Sequence, residues 1–412
     1  MRGKIQIVQM NATNALPDKG GIATYAHELA RHLAWCGHEP VLLTYPSVSP
    51  DTESSTFPYP VFRTHGFDLR SVASRKNRRA LVLARLSLAV VAMTQDTLRL
   101  LRSLPSGRPR ILWPVQWWPE SLAAWLVSRV SGTPYCVTAH GFESVIPPSM
   151  RRSRLFRGVM NQASVVFAVS RHTAAVVCRC GVRAEKIRTI HNGVNVDAFR
   201  RTAEVDRRVK ALKAALGLEG AYVLLTIARL ARRKGHLAVL EAVAALHRRI
   251  PELRYVIAGE GPMLEAIQRK IAMLGIEDIV RLLGAVSEQD KVALLHGCDV
   301  FVMPNEDLPL EKGGVDTEGF GLVFLEAAAC GKPTVGGRAG GAPEAVVDGE
   351  TGILVRPGDP RDVERAIGRL WEDRGLAGRL GRAGQERVRR DYPWSRIALK
   401  YAETFEALTC SL

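Results

Sequence analysis

Short apolar, β-branched runs alternate with helical-period stretches along this chain, and after a polar interval the alternation starts again. The first series is KIQIVQM, PVLLTY, RILWPV, PYCVTAH, SVVFAVS and KIRTIHN, and between its first two members ATYAHELARHLAWCG sets Ala26, Leu29, Ala30 and Leu33 on one helical face. From residue 221 the series AYVLLTIARL, RYVIAGEG, IVRLLGAV, DVFVMPN and KPTVGG repeats the pattern. Strands that alternate with helices build a parallel sheet covered on both faces. The predicted fold class is therefore α/β, with two doubly wound, Rossmann-like parallel-sheet domains, and a length of 412 residues exceeds one hydrophobic core. The polar stretch FRRTAEVDRRVKALKAALGLEG reads as a linker and leading helix, which sets the expected domains at 1–199 and 200–391. In the tail, 392–412, Trp394, Ile397, Tyr401 and Phe405 recur at helical intervals. Open α/β sheets bind ligands beyond the carboxyl ends of their strands, so the two domains are expected to face each other across a binding cleft.

Composition and charge exclude several classes. The opening MRGKIQIVQM lacks the length and cleavage site of a secretory signal and reads as a first strand. The apolar stretch from Leu81 to Leu101 is broken by Arg85, Gln95, Asp96 and Arg99, so it fails as a membrane span. Seven cysteines without a CxxC pair indicate reduced thiols in cytoplasm. Residues 1–201 carry 27 Lys+Arg against 11 Asp+Glu and residues 202–412 carry 30 of each, so the formal excess of +16 lies wholly in the first part. Two clusters stand out there, SRKNRR (74–79) and MRRSRLFR (150–157), the second interleaved with Leu155 and Phe156. Basic residues near an anionic membrane are worth about 1 kcal/mol each. No helix-turn-helix, RNP or zinc pattern accompanies the clusters, which favours a peripheral anionic membrane as partner over nucleic acid.

Candidate chemistry concentrates in a few loops. Gly20 and Gly21 lie between the first strand and first helix, where a Cβ-free backbone lets a phosphate approach a helix N-terminus. ARLARRKGH sets Arg229 and Lys234 just after a strand, a place for a diphosphate between two cations, with Arg232 and Arg233 expected to face solvent. In EGFGLVFLEAAACGKP, Gly319 and Gly321 permit a tight turn, and a helix then runs to a stop at Gly331 and Pro333. Its N-terminus near Gly321 and Leu322 offers N–H donors to an anion. Glu318 precedes the turn and can accept from sugar hydroxyls. Glu326 lies among apolar neighbours and needs partners, which a ribose would supply.

These segments resemble family 4 glycosyltransferases, retaining enzymes of the GT-B fold. The resemblance rests on EGFGLVFLEAAACGKPTVGGRAGGAPEAVVDGETGILVRPGD with its two-glutamate frame, and on GGIATYAHELARHL, TAHGFE, VFAVSRHTAAVV, IHNGVNVDAF, TIARLARRKGH, YVIAGEGP and DVFVMPN in the family's order. The loop LPLEKGGVDTEGFG is similar to that of bacterial phosphatidylinositol, lipid or polysaccharide mannosyltransferases.

The resemblance implies roles. Arg229 and Lys234 match the pair on the donor diphosphate, Glu318 the residue that orients the donor sugar, and Phe320, Gly321 and Leu322 the backbone beside sugar and phosphate. Glu326 matches the ribose-binding glutamate and His140 a histidine of the sugar pocket. Asn192 and Gly193 match a segment that reaches the cleft, and Ser170 a helix cap. It further implies a nucleotide-sugar substrate, GDP-mannose with a UDP-sugar as alternative, and no cofactor. No DxD occurs in the cleft motifs, so no metal is expected. The acceptor is expected to be lipid-linked or a glycan, reached from the cytoplasm at the inner face of the plasma membrane. In GT-B proteins a terminal helix such as 392–412 crosses back onto the first domain. Two other readings remain: a nucleotide-sugar epimerase or hydrolase, and a non-catalytic basic adaptor for nucleic acid or membrane.

Overall fold

The computed structural model describes residues 4–11, 21–44, 57–63, 79–141, 153–311 and 313–410, the side chains of 79–87 apart. The chain divides into two units, Met1–Asn192 with Trp394–Leu412, and Gly193–Pro393. The division falls at 192/193 and 393/394 instead of 199/200 and 391/392. Residues 193–199 belong to the second unit because of what they bond: Val194 N–H donates to Tyr392 O at 2.8 Å, and His296 Nε2 donates to Phe199 O at 2.9 Å.

The first unit holds strands β1 (Gln6–Met10), β2 (Glu39–Thr44), β3 (Val61–Arg63), β4 (Arg110–Pro114), β5 (Cys136–Ala139), β6 (Val165–Ala168) and β7 (Ile187–Thr189). All pairings are parallel, in the orders β3-β2-β1-β4 and β5-β6-β7, with a bridge from Leu112 to Tyr135 between the two sets. Every residue of β1 is buried, as a central parallel strand covered on both faces requires. The terminal helix Trp394–Cys410 buries its apolar stripe in this unit: Tyr401 lies 4.5 Å from Phe167, ring to ring, and its hydroxyl is 2.7 Å from that of Tyr25. The apolar stretch from Leu81 sits in helix Arg79–Ser103, and no helix of the described residues is long and apolar enough to cross a membrane. All seven cysteines are free.

The second unit carries β8 (Tyr222–Ile227), β9 (Leu253–Ala258), β10 (Val280–Leu282), β11 (Val300–Met303), the short β12 (Leu308–Pro309) and β13 (Val315–Asp316), β14 (Thr334–Gly337) and β15 (Gly352–Val355). Six of them form a parallel sheet in the order β10-β9-β8-β11-β14-β15, and β12 pairs antiparallel with β13 as a hairpin. The order reverses between β8 and β11, which opens a crevice beyond their carboxyl ends. Leu224, Val239, Val243, Tyr255, Ile257 and Val302 are buried in one core, each aliphatic side chain worth about 1.5–3 kcal/mol on burial. The polar stretch after Arg200 is helix Ala203–Leu216, capped by Thr202 and stopped by Gly217 at φ +64°.

Candidate functional site

The loop after β8 and the hairpin β12–β13 converge on one carboxylate. Beyond β8 the chain passes Arg229, makes a short 3-10 turn at Arg232–Lys234, and enters helix His236–His247. Lys234 is buried at 8% exposure, and its Nζ lies 2.5 Å from Glu318 Oε2. Arg233 does not face solvent: Nη1 bonds the same Glu318 oxygen at 3.0 Å, and Nε bonds Asp316 Oδ1 at 2.9 Å. The expectation for Arg233 fails because the 3-10 turn swings residues 233 and 234 to the same side, while Arg232 alone stays exposed. A charge run in sequence carries no sign of that turn.

Burial by itself would raise the Glu318 pKa, but the charges of Lys234 and Arg233 outweigh it and hold the carboxyl below its ordinary range. Burial pushes Lys234 down, against the pull of Glu318. Both cations bind Oε2, and Oε1 accepts no hydrogen bond among the described residues. Lys234 has three N–H donors and spends one on Glu318. An ionised acceptor and a buried ammonium thus lie side by side, each with bonding capacity left. Arg229 is exposed and has no carboxylate partner among the described residues.

Backbone packing holds this arrangement. Gly341 N–H donates to Glu318 O at 2.8 Å, and a Cβ on Gly341 would stand 2.1 Å from Gly319 O, so only glycine lets the two loops meet. Gly321 caps helix Leu322–Ala329 at φ +91°, and a Cβ there would also strike the Phe324 ring at 2.5 Å. Phe320 is buried, its ring 6.0 Å from Tyr392. Leu322 is the first helical residue, so the N–H groups that lack intrahelical partners begin there.

Glu326 meets a protein partner that the sequence reading did not supply. Lys291 Nζ lies 3.1 Å from its Oε1 and 2.7 Å from Glu288 Oε2. Burial lowers the Lys291 pKa less than Glu326 and Glu288 raise it, so the lysine stays charged. Lys291 comes from helix Glu288–Gly297, 35 positions away, and no local motif announces it.

The first unit holds the other candidates. His140 follows β5, its ring edge-on to Tyr25 at 4.6 Å, with a backbone hydrogen bond to Val115. Burial lowers its pKa to about 4, which the Val115 bond only partly opposes, so the ring is neutral near pH 7. Its Nε2 is buried and has no partner among the described residues. Asn192 Oδ1 is likewise buried without one, next to Gly193 at the junction of the units. Ser170 Oγ accepts from Thr173 N–H at 2.9 Å and caps helix Arg171–Arg179. Gly21 opens helix Gly21–Trp35 and is exposed, whereas Gly20 lies outside the described residues, as do 74–78 and 150–152 of the basic clusters.

Two family patterns cover most of the chain. The one described as Glycosyltransferase Family 4 matches residues 19–198, and the one described as Glycosyl transferases group 1 matches residues 209–387. A GDP-mannose-dependent alpha-(1-6)-phosphatidylinositol monomannoside mannosyltransferase of Mycolicibacterium smegmatis is 33% identical over 69% of this chain and 73% of its own. The chain is a family 4 glycosyltransferase.

This glycosyltransferase is a retaining hexosyltransferase that draws its sugar from a nucleotide sugar. Its relatives differ in substrate: a D-inositol 3-phosphate glycosyltransferase of Pseudarthrobacter chlorophenolicus is 28% identical over 95% of this chain and 91% of its own. The fold is GT-B. Sucrose-phosphate synthase of Thermosynechococcus elongatus superposes with a TM-score of 0.79 at 22% identity, over 99% of this chain and 100% of that one. Anabaena HepE, crystallised with UDP and glucose, does so at 0.77 and 20%, over 98% and 99%.

Proposed function

We propose that this glycosyltransferase moves mannose from GDP-mannose to a lipid-linked or glycan acceptor at the cytoplasmic face of an anionic membrane. The observation that carries the donor part is the shared Glu318 oxygen: two cations occupy Oε2, which keeps the carboxylate ionised and leaves Oε1 to accept from sugar hydroxyls. Lys234, with N–H donors in reserve, and the exposed Arg229 take the diphosphate. Leu322 and the helix N-terminus at Gly321 add backbone donors beside Phe320, and Glu326, steadied by Lys291, takes the ribose. His140, neutral and with Nε2 unengaged among the described residues, serves a donor hydroxyl. The choice of mannose and of a lipid acceptor draws on the likeness to the mycobacterial mannosyltransferase.

The chemistry needs no enzyme nucleophile. Glu318 holds the two cations through Oε2 and is given over to the sugar hydroxyls through Oε1, so the acceptor oxygen attacks the anomeric carbon on the face from which the phosphate leaves. The bond to the phosphate oxygen breaks as the new glycosidic bond forms, and the acceptor's proton passes to that departing oxygen. Lys234 and Arg229 stabilise the negative charge that develops there, and fixed geometry supplies much of the remaining rate.

Thermal melting against GDP, UDP and ADP tests the donor. A ligand at 100 times its Kd adds about 2.7 kcal/mol of stability. A shift with GDP alone, lost in Glu326→Ala, is the expected result. A shift with UDP instead overturns the mannose assignment, and no shift with any of the three overturns the nucleotide site.

A further inference from the structure

Near the carboxyl end of β4 the first unit contains an apolar cavity that the donor chemistry does not use. Its volume is about 230 Å³, and Trp117, Trp118, Leu122, Leu155, Phe156 and Val159 line it together with Ser153. The rings are fixed against one another: Trp117 lies 5.0 Å from Phe156, edge to face, and 5.4 Å from Trp118. Among the described lining residues Ser153 is the one with a hydroxyl, and its Oγ is already occupied as the cap of helix Arg154–Gln162, accepting from Phe156 N–H at 3.1 Å. Water in a cavity needs two to four polar partners, and the described lining residues do not provide them. An apolar void also forfeits the dispersion contacts its walls would otherwise make. The site therefore suits a hydrocarbon occupant.

The surroundings indicate which one. Leu155 is 49% exposed although it lines the cavity, and Arg154, its neighbour in the first turn of the same helix, is exposed as well. Arg151 and Arg152 immediately precede Ser153 in sequence, within the part of the chain that carries the whole +16 excess. Trp125 of the adjoining helix Glu120–Ser131 bonds Gln162 through its indole N–H at 3.0 Å and sits 6.0 Å from the Arg129 guanidinium. Tryptophans with an apolar body and a wet edge, flanked by arginines, are the side chains that settle at a bilayer's headgroup level. We infer that this cavity takes one acyl chain of an anionic membrane phospholipid, with Arg154 of helix Arg154–Gln162 on its headgroup. The inference deepens the membrane part of the proposal above and is independent of the donor assignment, which uses none of the residues that line this cavity.

Vesicles test it. The full chain is sedimented with phosphatidylglycerol or phosphatidylcholine vesicles, and its tryptophan fluorescence is followed as the acyl chains are replaced by brominated ones. Expected are binding to phosphatidylglycerol only, quenching by the brominated chains, and at least a tenfold loss of partitioning in the charge-neutral variant Leu155→Gln. Trp118→Phe is expected to keep binding and lose most of the chain-dependent quenching. Binding that is equal in Leu155→Gln and unquenched would mean surface charge alone and overturns the inference, as does absence of binding. The melting shift with GDP, measured on the same variants, shows that they are folded and keeps failure of the lipid site distinct from failure of the donor site.

Discussion

Lys234 Nζ lies 2.5 Å from Glu318 Oε2, although 84 positions separate the two residues. Both are buried, so each depends on the other: an uncompensated buried charge costs far more than the pair contributes. Glu318→Ala leaves the buried Lys234 without its hydrogen-bonded counter-charge and Arg233 with Asp316 alone. We expect it to destabilise the second unit by about 3–5 kcal/mol, and Lys234→Met to do the same. The double variant Lys234→Met/Glu318→Leu should recover most of that stability and none of the transferase activity. Urea denaturation of the four proteins measures the coupling, and additive losses would show that the two charges do not interact.

Arg233 bridges Asp316 and Glu318 while Arg232 is exposed. Arg233→Ala removes one of the two cations that orient the Glu318 carboxylate, and a fall in kcat/KM of about tenfold to a hundredfold corresponds to ~1.4–2.7 kcal/mol of lost transition-state binding. Arg232→Ala should change it little. Arg233→Lys keeps the charge but cannot reach both carboxylates as a planar fork, so it should rescue only partly. Equal effects at 232 and 233 would contradict the structure.

Gly321 holds φ +91° and would bring a Cβ to 2.5 Å from the Phe324 ring. Gly321→Ala combines backbone strain of about 1–3 kcal/mol with displacement of a core ring. Donor affinity should fall with stability, because the helix N-terminus and Phe320 move together. Melting temperature and GDP titration of the variant check this, and a folded variant with unchanged affinity would remove Gly321 from the donor site.

Burial lowers both His140 and His236 to about 4 from an ordinary 6.5, with the Lys234 charge adding to the effect at His236. As pH falls through 6.5 the unfolded chain takes up protons that the folded chain refuses, so stability drops until about pH 4, where both states are protonated. Glu318 acts in the same direction lower down, since its depressed pKa gives a contribution that is lost as the folded carboxylate protonates. Each histidine steepens the dependence by at most ~1.4 kcal/mol per pH unit. Denaturation midpoints measured from pH 7 to 4 should flatten in His140→Gln for the first unit and in His236→Gln for the second. Curves parallel to the parent protein's would show that neither histidine is shielded as described.

The alternation of strand and helix runs is a local property, because burial on both faces demands continuous apolar strands and one-sided helices wherever the chain later goes. Two parallel sheets, the helix behind Gly321, the cap at Ser170 and the apolar stripe of the terminal helix could therefore be read from consecutive residues. So could the candidates Arg229, Lys234, Glu318 and Glu326, since short loops between strand and helix must end near one edge of a sheet. Pairings between distant segments could not. Lys291 reaches Glu326 across 35 positions, and Arg233 reaches Glu318 across 85, through a 3-10 turn that a run of basic residues conceals. The strands β3 and β15 and the hairpin that presents Asp316 escaped notice for a related reason: they are short, and a short strand is stabilised by its neighbours more than by its own residues. The cavity beneath Trp117 and Trp118 belongs to the same class, because a void is a property of several packed elements and of no single stretch. Charge and apolarity are written residue by residue, whereas which charge meets which, and where apolar walls fail to close, follow from the distances that folding sets.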